Sequence, residues 1–309
     1  EWLEATVEKY PDKPAFSDTE SSITFRQVYD IARNTGAYLV EQLGVDRTPV
    51  AVFAGRKMVT PAYFLGVVYA GRPYAPIDAS LPDKRIEKIL ENLCPGAIVA
   101  DRESLEHVES IVDELAKSES FDRPQIFVAE DISRFEQVAC ADSNCKISES
   151  AGDAVTDSEN DTDGGVVTSC AGKTDDSSLE KLATVRMQMS MTDPLYIIYT
   201  SGSTGNPKGV MTSHLSLMTY INAYCDVMHI EESDVLGNQS PLDYIAAIRD
   251  IYLPLKTGCS TAIIPKEYFM EPNALFDYMN DKKVSSVGWS VSAFTILTSL
   301  GAFEEVGLK

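Results

Sequence analysis

The chain has 309 residues and a formal net charge of −21, from 26 basic and 47 acidic side chains. Hydrophobic residues make up 44% and charged ones 24%, a globular balance with room for a large core. The acidic excess argues against nucleic-acid binding, which calls for a basic face. The longest apolar run, Tyr63 to Ala70, is far too short to span a membrane, and Glu1-Trp2-Leu3-Glu4 opens no signal peptide. Six cysteines without a C-x-x-C pair, beside three histidines, fit neither a structural zinc site nor a disulfide framework. A reducing cytosol is the expected compartment, so the protein is expected to be cytoplasmic.

Residues 1–136 alternate helix and strand signals. Thr24, with Gln27 three places on, has the capping-box pattern. Behind it Val28, Ile31, Ala32, Leu39 and Leu43 fall near helical spacing up to Gly44, a natural stop. Pro49 to Gly55 reads as a short buried strand. Thr60-Pro61 starts an apolar helix that ends at Gly71, with proline in the first turn, where no amide hydrogen is missed. RPYAPID, residues 72–78, reads as an extended connection. LPDKRIEKILENLCPG is an amphipathic helix with Ile86, Ile89, Leu90 and Leu93 on one face, and AIVA follows as a strand. Such alternation predicts an α/β fold with a parallel sheet covered on both faces.

The character then changes. From Glu136 to Leu195 there is no aromatic residue, and residues 140–180 hold ten acidic side chains against Lys146 and Lys173. A stretch so poor in apolar side chains cannot offset an ordering entropy of roughly 1–2 kcal/mol per residue. Residues 137–190 are therefore expected to be a disordered acidic insertion between a first α/β subdomain, 1–136, and a second, 191–309. Its three cysteines lack histidine partners, and no metal site is expected there.

After Asp193-Pro194 the pattern resumes. LYIIYT is a strand and HLSLMTYINAYCDVM a helix; DYIAAIRDIYLPLKTG is a helix closing on Thr-Gly. STAIIP and VSSVGWS are strands, and EPNALFDYMNDKK and VSAFTILTSLGAF helices.

Between the first two of these elements lies YTSGSTGNPKG, residues 199–209. Small residues let backbone N–H groups approach an anion, hydroxyls add donors, and Lys208 supplies counter-charge, a combination suited to phosphate oxygens. The string is not the G-x-x-x-x-G-K-[ST] loop of mononucleotide kinases, because no Gly-Lys-Ser/Thr occurs and VMTS after Gly209 looks like a strand. Ser201 and Ser203 lack the G-x-S-x-G frame of a nucleophile.

The string resembles the signature of the adenylate-forming (AMP-binding) superfamily, Tyr-Thr-Ser-Gly-Ser/Thr-Thr-Gly-x-Pro-Lys-Gly. The likeness is to its amino-acid-activating branch, the adenylation domains of nonribosomal peptide synthetases and D-alanine–carrier-protein ligases. ITFRQVYDIA and YAGRPYAPIDASLPDKRIEKIL are similar to further motifs of that family in order and spacing. The resemblance implies layered parallel-sheet subdomains of a large N-terminal domain, incomplete at the C-terminus. It implies an ATP-dependent ligase that activates an amino acid or other carboxylic acid as acyl-adenylate and passes it to a carrier-protein phosphopantetheine thiol. ATP and magnesium (Mg2+) would be the cofactors, with Thr200, Ser201, Gly202, Ser203, Thr204, Gly205 and Lys208 around the phosphates. His214 matches a family histidine with a structural or a ligand role.

Two departures stand out. The family's adenine, ribose and late catalytic-lysine motifs have no counterpart through Lys309, so the chain alone is expected to be inactive, with no catalytic residue assigned. A non-catalytic nucleotide-binding or regulatory homologue, or an acyl-CoA-type ligase fragment, is the alternative. In the acid pocket the family has Phe-Asp, four residues, then Asp-Ile-Tyr. A gap-free match puts Ile245 at the ammonium-binding Asp position, with Ala246 and Arg249 also lining the pocket. Asp243 is the rival partner; it stands two residues early, about 200° away on a helix of 3.6 residues per turn. The gap-free match predicts an acid without a free α-ammonium.

Overall fold

A six-stranded and a five-stranded sheet carry the fold in the computed structural model, which describes residues 1–133, 176–201 and 206–305. Helix α1 (Trp2–Lys9) leads into a hairpin of β1 (Pro14–Ser17) and β2 (Ser22–Thr24). Helix α2 (Phe25–Leu43) starts with the expected capping box. The Gln27 amide donates to Thr24 Oγ1 at 3.2 Å, and the Thr24 amide donates to Gln27 Oε1 at 2.9 Å. Then β3 (Val50–Phe53), α3 (Thr60–Tyr69), β4 (Tyr74–Ile77), α4 (Asp83–Leu93), β5 (Ala97–Ala100), α5 (Arg102–Leu115) and β6 (Gln125–Val128) alternate, closed by α6 (Ala129–Ser133). The expected connection at 72–78 is a sheet strand over Tyr74–Ile77, fully buried. It pairs with β3 along its whole length, Pro76 opposite Val52, whereas its ladder on the other side, to the later strand that contains Tyr196, is confined to Tyr74 and leaves Pro76 beyond it. Arg72, equally buried, donates to the carbonyls of Leu43, Gly44 and Thr48 and pairs with Asp46. It thus holds the C-terminal end of α2, where a cation suits the exposed carbonyls.

The second half contains α7 (Asp176–Gln188), β7 (Pro194–Ser201), β8 (Pro207–Ser213), α8 (His214–Met228), β9 (Val235–Asn238), α9 (Ala247–Thr257) and β10 (Ser260–Ile263). A 3-10 turn at Lys266–Met270, α10 (Pro272–Asp281), β11 (Ser286–Val287), α11 (Val291–Ser299) and α12 (Ala302–Glu305) complete it. Most of the stretch expected to be disordered, 137–190, lies outside the described residues. Its last part does not fit that expectation: α7 is helical and docked. Val185 is 1% exposed, and a Cβ at Gly71 would stand 2.6 Å from its Cγ1. Arg47 ties the end of α7 to the next strand by donating to Gln188 O and Asp193 Oδ2. Val185 on Gly71, with Leu182 and Met189 packed partly buried against the core and Arg186 paired with Glu4, docks the segment, and average composition does not register so few contacts.

The six-stranded sheet has the order β6-β5-β3-β4-β7-β8 and is parallel except for β8; the five-stranded sheet, β11-β9-β10-β1-β2, is parallel except for β2. Membership departs from the expected division at 136 and 191. Strand β1 joins the later sheet beside β10, while β7 and β8 join the earlier one. Parallel partners need a crossover and can come from anywhere in the chain. Helix α3, packed against α2, β3 and β4, is buried on almost every side, with Phe64 stacked on Tyr74 at 4.7 Å. A buried aromatic of this kind contributes about 1.5–3 kcal/mol.

Candidate functional site

The carboxyl ends of strands from both sheets open into one cleft of about 500 Å³. Open α/β sheets characteristically bind ligands at such edges. Gly55, Arg56 and Lys57 enter it after β3, Asp78 after β4, Asp243 after β9, and Lys266 and Glu267 after β10. Arg56 bridges the sheets. Its Nη2 donates to Asn238 O at 2.8 Å and to Asn238 Oδ1 at 2.9 Å. Asn238 Nδ2 donates to Asp250 Oδ2 at 3.0 Å, and Asp250 Oδ1 accepts from Arg249 Nε at 2.7 Å. Burial lowers the Arg56 guanidinium to about 10, against the pull of Asp250 and Glu267. Lys57 pairs with Asp101 and Glu103 at the cleft's other rim. This network was not among the expected site residues. The signal was a basic pair, Arg56-Lys57, directly after a buried strand.

The four residues expected around the acid separate. Helix α9 begins at Ala247, not at 243, so residues 241–246 form turns, bridged by Tyr244 N to Pro241 O and Ala247 N to Tyr244 O. The helical rotation that set Asp243 about 200° from Ile245 therefore does not apply to this stretch. Asp243 lines the cleft, half-buried. Burial pushes its carboxyl upward, as does the neighbouring Asp78, while backbone amides and Arg85 pull it back. Ile245 is 49% exposed and Ala246 sits at the start of α9. Arg249 faces neither this cleft nor solvent: its side chain is 11% exposed and bonded to Asp250 and to Gly288 O at 3.0 Å. Its charge is neutralised, so it does not carry the anion preference expected of a free guanidinium.

Strands β7 and β8 form the two arms of the glycine-rich loop, with Thr200 opposite Lys208 and Ser201 opposite Pro207. Because β7 runs parallel to β4, the loop leaves the sheet on the edge that carries Asp78. Gly202, Ser203, Thr204 and Gly205 lie outside the described residues. Thr200 and Ser201 are exposed; Lys208 is exposed, its carbonyl accepts from Thr200 Oγ1 at 3.5 Å, and its ammonium has no hydrogen-bond or ion-pair partner among the described residues. Gly209 is required by crowding, because a Cβ there would stand 2.9 Å from Ile197 Cγ2 and 3.1 Å from Tyr199 Cζ. His214 is in a different place, at the first position of α8. It lines a separate groove with Trp2 and Tyr29, and burial lowers its pKa. No three His, Cys, Asp or Glu side chains among the described residues are grouped to hold a metal ion.

Comparison with known proteins agrees with this architecture. The AMP-binding enzyme family matches residues 3–307. A D-alanine--D-alanyl carrier protein ligase of Bacillus velezensis is 28% identical over 276 residues, 89% of this chain and 44% of that protein. One from Bacillus licheniformis is 25% identical over 284 residues, 91% of this chain and 46% of that protein. The chain thus spans less than half the length of these curated relatives. Among solved structures, the nonribosomal peptide synthetase FmoA3 superposes with a TM-score of 0.70 at 19% identity, over 99% of this chain and 26% of that one. VinN superposes at 0.67 with 16% identity, over 99% and 64%. The chain belongs to the AMP-binding enzyme family.

Proposed function

We propose that the chain is the N-terminal part of an ATP-dependent ligase that activates an amino acid or other carboxylic acid and hands it to a carrier-protein thiol. The observation that carries this is the pair of β-arms that leads into the Thr-Ser-Gly loop, with the Lys208 ammonium unpaired among the described residues, on the sheet edge from which Asp78 enters the cleft. In the first step a carboxylate oxygen bonds to the α-phosphorus of ATP and the bond to pyrophosphate breaks. In the second, the thiol sulfur of a phosphopantetheine bonds to the acyl carbon and AMP leaves with the electron pair. Loop amides, the hydroxyls of Thr200 and Ser201, and Lys208 would hold the β- and γ-phosphates and stabilise the charge gathering on the leaving pyrophosphate. Magnesium, which prefers oxygen ligands and keeps phosphate in its shell, would supply further neutralisation when bound. No all-protein cage is present among the described residues, so it would arrive on the nucleotide.

Asp243 is the proposed partner of a substrate ammonium, in place of Ile245. It is the one residue of the expected four that reaches the cleft, and an ammonium in a half-buried site needs a carboxylate. The substrate class favoured is therefore an acid carrying an amine. Among the described residues no helix is long and apolar enough to cross a membrane.

The test is a MgATP titration of the 309-residue chain beside its Lys208→Ala variant. Saturable binding that weakens about ten-fold in the variant, the loss of one charge-assisted contact, is expected. The chain alone should give no ATP–pyrophosphate exchange, whereas a longer protein extending to the relatives' length should exchange with an amino acid. Absence of MgATP binding by the unaltered chain would overturn the phosphate role of the loop.

A further inference from the structure

Arg56 carries a charge that the fold does not neutralise. Its Nη2 donates only to Asn238, to the backbone O at 2.8 Å and to Oδ1 at 2.9 Å, and both acceptors are neutral. The Asp250 carboxylate is taken by Arg249 and Asn238 Nδ2, and Arg56 makes no ion pair among the described residues. Its Nε is sealed from solvent without a partner, while Nη1 has neither a partner among the described residues nor complete cover. Glu267 also lines the cleft, but it is exposed and acts on Arg56 without pairing with it. A half-buried guanidinium in this state is costly unless an anion completes its shell.

The opposite charge stands elsewhere in the same cleft. Asp243 responds to Asp78 and Arg85, whereas Arg56 responds to Asp250 and Glu267. Cation and carboxylate therefore do not neutralise each other, although both line one space of about 500 Å³. Much of the remaining lining is apolar, including Ala54, Phe64, Ile77, Leu242 and Ile263. In an amino acid the ammonium and the α-carboxylate share one carbon, too short a span to serve two groups that do not sense each other. A side chain of methylenes ending in a second carboxylate has the reach.

We propose that Arg56 is a specificity-determining residue that selects an amino acid with a carboxylate in its side chain, of the aspartate or glutamate class. The side-chain carboxylate accepts from Arg56 Nη1, the ammonium pairs with Asp243, and the methylenes lie against the apolar lining. The α-carboxylate stays free to bond to the α-phosphorus of ATP. This rests on the ligase reading above and names its substrate class.

The test is calorimetric binding to the 309-residue chain, Arg56→Gln and Arg56→Lys. The probes are L-aspartate, L-glutamate, L-asparagine, L-glutamine, L-alanine and MgATP. In the unaltered chain one acidic amino acid should bind about ten-fold more tightly than its own amide and than alanine, the effect of one charge-assisted contact. Arg56→Gln should remove that preference by weakening the acid and leaving the amide alone, while Arg56→Lys, which keeps the charge, should retain part of it. Equal binding of acid, amide and alanine by the unaltered chain would overturn the proposal without need of any variant. So would a loss in Arg56→Gln that falls on MgATP and spares the acid, which assigns the guanidinium to nucleotide phosphate. An acid-over-amide preference in a chain that binds no MgATP would leave Arg56 in this role and remove the ligase reading. MgATP binding with no amino acid bound would do the reverse.

Discussion

Asp243 shows how burial becomes a measurable property of one side chain. Its carboxyl is held above the ordinary Asp value of 3.8, first by burial and then by Asp78. The folded chain therefore keeps a proton that the unfolded chain has already lost, and stability falls as pH rises from about 3.8 through the raised value. Asp243→Asn should raise the melting midpoint at pH 7, and the gain should vanish below pH 3.8, where both states are protonated. Thermal melts across that range check it; no gain at pH 7 would mean that the Asp243 carboxyl is as hydrated in the folded chain as in the unfolded one. The same variant should abolish any preference for acids that carry an ammonium. Gly209 makes a second case. Gly209→Ala forces Ile197 and Tyr199 to move, and overpacking of this kind costs about 1–3 kcal/mol, readable in urea denaturation. The Thr24 cap was legible in sequence because hydroxyl and amide sit at fixed spacing. The turn that carries Asp243 was not legible because residues 243–246 read as helix, whereas the helix starts only at Ala247.

Elements were legible where an apolar run had one period. Strands β3, β5 and β7 and helices α2 and α4 lie close to where the pattern places them. Strand β4 was missed because Arg72, Pro73 and Pro76 look like a connection, although Arg72 is a buried clamp on helix carbonyls. Helix α7 was missed because its docking depends on the space over Gly71. Val185→Ala should cost on the order of 1–3 kcal/mol by leaving that space empty, whereas substitution of the exposed Met187 should cost little. Equilibrium unfolding of the two variants makes the comparison. No periodicity could announce the joint between the sheets, which is made of polar groups from β3, β9 and α9. Asn238→Ala removes one of the two acceptors it offers Arg56, the backbone carbonyl remaining, and removes a donor to the buried Asp250. A loss of about 2–4 kcal/mol is expected, larger than for any exposed ion pair such as that between Arg123 and Asp113.

At the scale of the molecule the charge of −21 acts on everything at once. Self-repulsion weakens the compact state, so the melting midpoint should rise as salt is raised from about 0.01 to 0.15 M, where screening lengths shrink from about 30 to 8 Å. Binding of an anionic nucleotide should lose less with salt than it does in basic proteins, because long-range repulsion is screened along with local attraction; titrations at two ionic strengths decide this. The pairing of β1 with β10 has a consequence for synthesis. The Ser260 hydroxyl bonds Pro14 O across 246 residues, and the first hairpin has no other partner in its sheet. At roughly 5–20 residues per second, β1 waits on the order of ten to fifty seconds at the ribosome before its neighbour exists. During that interval Phe16 and Ile23, which end up buried, have only transient cover, and a nascent chain halted before Ser260 should be a better chaperone client than one halted a few dozen residues later.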